Sequence, residues 1–198
     1  MSSEVNPTIV LASTSIYRQE LLKRICPDAQ IESPRVDETP LDPESTIACA
    51  ERLSIDKARS VAEQKTGRHI IIGSDQVAEC EGRWLSKPGT PDNAVNQLEH
   101  ASGKTAFFHT GLCVWDTNTN RYHSEVISTE VRFRVLEISE IERYVAAEDV
   151  LGCAGSAKSE GLGITLLDSI LGPDPTALVG LPLIALSRML RSYGVRLP

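Results

Sequence analysis

Short apolar runs alternate with stretches of helical periodicity along this chain, and together the two patterns predict most of its elements. Thr8 to Ala12 (TIVLA) and Ile70-Ile71-Ile72 are unbroken apolar runs bounded by turn-forming residues, as in buried strands. Ile16 to Ile25 sets Leu21, Leu22 and Ile25 on one helical face behind Ser15, a suitable N-cap. Gln30 to Ser33 is a candidate second strand. Thr46 to Lys65 is predicted as a long helix whose apolar stripe is Ile47, Ala50, Leu53 (or Ser54), Ala58 and Val61. Lys57 falls at the edge of that stripe, where a long stem packs while its ammonium reaches out. Pro91 to Ala101 reads as a helix with proline in its first turn. The clearest β signal is Thr105 to Asp116 and Arg121 to Leu136 around a TNTN turn. There Ile127, Thr129, Val131, Phe133 and Val135 alternate with Ser128, Glu130, Arg132 and Arg134, which predicts a long antiparallel hairpin, apolar on one face and wet on the other. Glu137 to Ala147 is a further helix, Ile164 to Leu167 a short strand, and Pro182 opens a closing helix through Leu190, ended by Gly194. Alternating elements around one hairpin make a mixed α/β fold, with residues 1–198 as one domain or two lobes sharing a cleft.

Composition narrows the function more than the fold. The chain has 198 residues, 41% hydrophobic and 24% charged, an ordinary globular balance. Its formal net charge of −7 and its lack of any basic run argue against nucleic acid or an anionic membrane as a partner. A small polyanion is still compatible with this balance, provided a few cations and a metal ion are focused in one cleft. Five cysteines lie far apart, form no CxxC pair and have no histidine at zinc spacing, so they read as thiols in a reducing compartment. The N-terminal MSSEVNP lacks the basic and apolar regions of a signal peptide, and the apolar stretch from Ala177 to Leu186 is too short to span a bilayer. The expected location is the cytoplasm.

Candidate chemistry gathers at turns. The stretch His69 to Pro88 opens with the Ile70–Ile72 run, which Gly73-Ser74 is expected to end in a turn, leaving Asp75 and Gln76 unburied at the strand mouth. Open α/β sheets bind ligands there, although on spacing alone a lone Asp after a strand is more often a helix or turn cap. Lys87, before Pro88, is a cation that the return segment can bring beside Asp75. Ser13-Thr14-Ser15 join the first strand to a helix start, where backbone N–H groups and the macrodipole favour an anion; Arg18 adds a fixed charge. Within the acidic loop PRVDETPLDPES, Asp37 and Glu38 are adjacent carboxylates able to hold a metal or a water. The loop CAGSAKSEGLG is rich in small residues and carries only Lys158 and Glu160 as charged side chains.

Seven segments in order, LASTS-x-x-RQELL (Leu11 to Leu22), VDET (Val36 to Thr39), ERLSIDKA (Glu51 to Ala58), IIGSDQV (Ile71 to Val77), KP (Lys87-Pro88), CAGS-x-KSEGLG (Cys153 to Gly163) and LVGLPL (Leu178 to Leu183), resemble the Maf family of nucleotide pyrophosphatases. The resemblance covers nearly the whole chain. It implies an elongated mixed α/β fold like that of the inosine triphosphate pyrophosphatases, with a central cleft, a homodimer, and a divalent cation such as Mg²⁺, Mn²⁺ or Co²⁺. It implies Asp75 as the residue activating the attacking water, Glu38 as a second carboxylate at the metal, and Ser13, Arg18, Lys57 and Lys87 as holding the triphosphate. Glu160 beside Gly161, an aromatic before Arg18 and Gln76 after Asp75 are similar to the subgroup acting on 7-methyl-GTP, in which modified nucleotides are cleared before they enter RNA. In that reading Glu160 accepts from guanine N1–H and N2–H, and Tyr17 stacks on the cationic base. Tyr17 stands where tryptophan is usual, and Ile16 where proline is usual. The alternatives are UTP, TTP or another modified nucleotide as substrate, or a non-catalytic nucleotide-binding regulator of septum formation.

Overall fold

The structure is a computed structural model that describes residues 7–197; all but the last residue of MSSEVNP lies outside them. Strand β1 (Thr8–Ala12) leads through a serine-rich turn into α1 (Ile16–Lys23), capped by Ser15 as expected, and β2 (Gln30–Glu32) follows. Helix α2 (Thr46–Ala62) starts at Ser45, whose side chain accepts from the Ala48 N–H. Strand β3 (His69–Cys80) and the short β4 (Arg83–Trp84) precede α3 (Pro91–Ala101). The hairpin is β5 (Thr105–Asp116) and β6 (Arg121–Phe133); α4 (Ile138–Ala147), β7 (Leu167–Leu171) and α5 (Leu183–Ser192) complete the chain. The sheet runs β2-β1-β3-β5-β6-β7, with β4 also on β3. Strands β2, β1 and β3 are parallel and the rest antiparallel, so the sheet is mixed.

Several expectations change. Gly73-Ser74 make no turn: β3 runs through them to Cys80, and Asp75 is 8% exposed rather than unburied at a strand mouth. Both glycines of the central strands are there for contact. A Cβ on Gly73 would lie 2.1 Å from the Ser54 carbonyl oxygen, and one on Gly111 would lie 2.0 Å from that of Ala50. Helix α2 therefore lies directly on the sheet backbone, and Lys57, 5% exposed, is inside the contact rather than at its edge. Ile47 leaves the stripe and is 48% exposed. The hairpin is buried more deeply than expected, since nearly all of β5 is buried on both faces, while β6 ends at Phe133 and Val135 is 83% exposed. Residues 162–166 form a 3-10 turn, and the strand predicted over Ile164–Leu167 begins only at Leu167.

Apolar packing divides along the sheet. Leu11, Ile70, Ile72, Leu112 and Val114 pack against Leu21, Leu22, Leu186 and Met189 of α1 and α5. On the opposite face Val10, Ile71 and Cys113 meet Ala58 and Val61 of α2. The far ends of β3, β5 and β6 (Ala78, Phe108, Val131, Phe133) build a separate core with Leu98 of α3 and Ile141 and Tyr144 of α4. Between these cores the sheet loses a strand. β1 ends opposite Gly73 and β4 pairs only from Glu79, so residues 74–78 have no strand partner on that edge. That gap opens the cleft, at the carboxyl end of the parallel strands.

Candidate active site

The side-chain alternation of β3 deals its residues to two sides of the gap. Ile71, Gly73 and Asp75 face α2, where the Lys57 ammonium donates to Asp75 Oδ1 at 2.5 Å. Ser74 and Gln76 face the segment before α5. The Ser74 hydroxyl lies 2.9 Å from the Gly180 carbonyl oxygen, and the Gln76 amide donates to the Ala177 and Leu178 carbonyls at 3.0 Å. Gln76 thus anchors the cleft wall, with its nitrogen already committed to protein acceptors.

Lys57 also meets Glu38 Oε1 at 2.6 Å, so one buried ammonium joins two carboxylates from different parts of the chain. Burial opposes ionisation of Glu38, yet the Lys57 hydrogen bond and the charges of Lys57, Lys87 and Arg18 outweigh it and hold the carboxyl below its ordinary range. Arg18 is aimed by a hydrogen bond from Nε to the Gly180 carbonyl at 2.8 Å. Burial lowers its pKa, and Asp75 and Glu38 pull in the opposite direction. The loop presenting Glu38 is clamped by Arg52, which reaches both oxygens of Glu44, at 2.7 Å and 2.8 Å. Asp37, by contrast, turns back to accept from the Thr39 N–H at 2.9 Å and stays outside the cleft lining. Ser13 accepts from the Ser15 N–H at 3.1 Å, which shapes the turn entering α1.

All nine expected side chains, Ser13, Tyr17, Arg18, Glu38, Lys57, Asp75, Gln76, Lys87 and Glu160, line a single cavity of about 640 Å³. That volume suits a nucleotide-sized ligand. Its opposite wall is the 153–163 loop, where the Lys158 ammonium sits 5.4 Å from the centroid of the Tyr17 ring and 3.0 Å from Glu148 Oε1. Sequence reasoning passed over Glu148 and Glu44. Glu44 is one of several acids in a proline-punctuated loop and Glu148 sits beside Asp149 at a helix end, so no spacing singles out either. Among the described residues, no group of three or more His, Cys, Asp and Glu side chains could hold a metal ion. Asp75 and Glu38 meeting on one ammonium nevertheless suit a cation such as Mg²⁺, which commonly takes one or two carboxylates and fills its shell with substrate phosphate and water.

Residues 8–193 match the family described as Maf-like protein. A 7-methyl-GTP pyrophosphatase of Aromatoleum aromaticum is 53% identical over 190 residues, 96% of this chain and 97% of that one. One from Xanthomonas oryzae pv. oryzae is 48% identical over 192 residues, 97% of this chain and 100% of its own. Among solved structures, a nucleoside-triphosphatase described as a dITP/XTP pyrophosphatase, from Mycobacterium abscessus, aligns over 94% of this chain and 97% of its own, at 15% identity and a TM-score of 0.47.

Proposed function

Because the chain belongs to the Maf-like protein family, we propose that its cleft hydrolyses 7-methyl-GTP to 7-methyl-GMP and diphosphate, clearing a modified nucleotide before it enters RNA. The observation that carries this reading is the meeting of Asp75, Glu38, Lys57, Arg18, Lys87 and Glu160 in one cavity. Water attacks the α-phosphorus, a new P–O bond forms, and the bond to the bridging oxygen breaks as diphosphate leaves. Such a reaction is accelerated mainly by positioning and by charge placed where charge develops.

Asp75 orients the attacking water and takes its proton. It is fixed for this in mid-strand, with one oxygen pinned by Lys57. Lys57 also offsets the repulsion that two carboxylates would exert on a triphosphate. Arg18, aimed by Gly180, and Lys87, exposed at the rim, hold phosphate oxygens. Asp75 and Glu38 are the residues to hold a divalent cation, which when bound supplies further charge neutralisation and a more acidic water. Tyr17 and Glu160, both lining the cavity, are the side chains that face the base. Five free cysteines support a reducing cytoplasm as the compartment. A homodimer is carried over from the family resemblance, and light scattering of the purified chain tests it.

Incubation with a nucleotide panel and Mg²⁺ or Mn²⁺, with diphosphate resolved from orthophosphate, tests the reading. Diphosphate from 7-methyl-GTP is expected, and Asp75→Ala should lower turnover by about 10²-fold or more. Orthophosphate as the sole product, or full activity in Asp75→Ala, overturns it. The position of Lys158 over Tyr17 favours a second reading, in which the base is neutral and the substrate UTP or TTP. Glu160→Gln would then leave selectivity unchanged.

A further inference from the structure

The base-facing wall is hung from the end of α4 by two side chains that the proposed reaction does not use. Glu148, the residue that ends α4, accepts from Lys158 Nζ with Oε1 at 3.0 Å and from the Leu162 N–H with Oε2 at 2.9 Å. The Tyr144 hydroxyl accepts from the Lys158 N–H at 3.0 Å. Residues 158–162 are therefore held at both ends, with Glu160 at the exposed apex between them. Gly161 makes room for this, since a Cβ there would lie 2.3 Å from Glu148 Oε2.

We propose that Glu148 is the positioning residue for base selection, acting by neutralising Lys158 beside Tyr17 and by holding the loop that presents Glu160. The inference rests on the 7-methylguanine reading above. A base methylated at N7 carries positive charge, and an aromatic face attracts it. An unpaired ammonium on the same ring would repel it, so Tyr17 can serve a cationic base only if Lys158 has its own counter-ion. Glu148 is that counter-ion. The Glu148 hydrogen bond is the leading influence raising the Lys158 pKa, so the lysine stays charged and the pair stays formed across the working range. The Glu148 carboxyl is held below its ordinary range by the Leu162 N–H first and by Lys158 next. Removing the charge while keeping the shape, as in Glu148→Gln, retains an acceptor for Leu162 but leaves Lys158 uncompensated.

The test compares calorimetric binding of 7-methyl-GMP and GMP to wild type, Glu148→Gln, Lys158→Met and the double variant, so selectivity is read without turnover. Glu148→Gln is expected to weaken 7-methyl-GMP by about tenfold and GMP by less than about threefold, because only the methylated base is cationic. Adding Lys158→Met should restore the ratio, and Lys158→Met alone should leave 7-methyl-GMP bound at least as tightly as in wild type. With 7-methyl-GTP, Glu148→Gln should raise KM and leave kcat within about twofold, since the groups at the phosphates are untouched. Equal weakening of both nucleotides, no weakening of either, no rescue in the double variant, or a wild type that binds both nucleotides alike overturns the proposal. Diphosphate release by wild type is scored separately, so failure of the hydrolytic reading is distinguishable from failure of Glu148 to set selectivity.

Discussion

Glu44 shows how a residue outside the cleft governs one inside it. Its carboxyl is locked to Arg52 through both oxygens and also accepts from the Leu41 N–H at 3.0 Å, which pins the loop that delivers Glu38 to Lys57. The Arg52 hydrogen bond is the main cause that lowers the Glu44 pKa from 4.5 to about 2. A carboxyl whose folded pKa lies below its unfolded one stabilises the fold above the unfolded value, and that contribution is lost as pH falls through the folded one. For Glu44 the contribution is complete above about 4.5 and fades toward about 2. Glu44→Gln should therefore lower the urea unfolding midpoint near neutral pH, and the gap from wild type should close as the pH is taken down to about 2, where the native carboxyl is also neutral. A gap that stays constant across that range would show that shape rather than charge secures the loop. Tyr17 makes the same point about charge placement. Its ring lies beside a protein ammonium, so its value to a cationic base depends on a carboxylate on another element.

At the scale of elements, the contact between α2 and β3 decides where the chemistry sits. The helix is close enough for Lys57 to reach Asp75 only because Gly73 and Gly111 carry no side chain. Gly73→Ala should cost about 1–3 kcal/mol of stability by overpacking against backbone, and should reduce turnover further by lifting Lys57 from Asp75. Gly82→Ala, at φ 77° in open space, should cost about 1–2 kcal/mol through its left-handed backbone alone and leave turnover unchanged. Denaturant unfolding and steady-state rates on both variants check this; equal losses of turnover would remove the special role of the helix contact. The same glycine explains what the sequence could not reveal. Gly-Ser after an apolar run has the same local pattern whether it ends a strand or admits a helix, and the distinction depends on Ser54 and Ala58, which lie earlier in the chain. Elements with their own local chemistry were legible, among them the Ser15 cap, Pro91 at the start of α3, and the alternation of β6. Depth of burial was not, since the second face of β5 is covered by elements remote in sequence. That the nine candidate side chains share one cavity was legible only through seven motifs in order, because ion pairs such as Lys57 with Asp75 leave no spacing signature of their own.

Taken whole, the cleft has two walls with separate supports, one assigned to phosphate and one to base in the proposed reaction. The base wall hangs from α4 through Glu148 and Tyr144. The phosphate wall depends on the segment before α5, which returns from the far end of the chain to give the Gly180 carbonyl to both Arg18 and Ser74. That segment is secured by Asp174, which is 3% exposed. Its Oδ1 accepts from the Thr176 N–H at 3.0 Å and the Thr176 hydroxyl at 2.8 Å, and its Oδ2 accepts from the Ile184 N–H at 2.7 Å. Asp174 thereby caps α5, whose adjoining Pro182 offers no side-chain cap. Asp174→Ala leaves these buried donors without an acceptor, so a loss of about 2–4 kcal/mol is expected in denaturant unfolding. It should also lower kcat/KM for every nucleotide, because Arg18 loses the carbonyl that aims it. The ratio of 7-methyl-GTP to GTP should be unchanged, since the base wall keeps its own supports. This is the reverse of the pattern expected for Glu148→Gln, in which selectivity changes and kcat does not. If Asp174→Ala shifted the nucleotide ratio as Glu148→Gln does, the two walls would be one mechanical unit, and base choice could not be assigned to either alone.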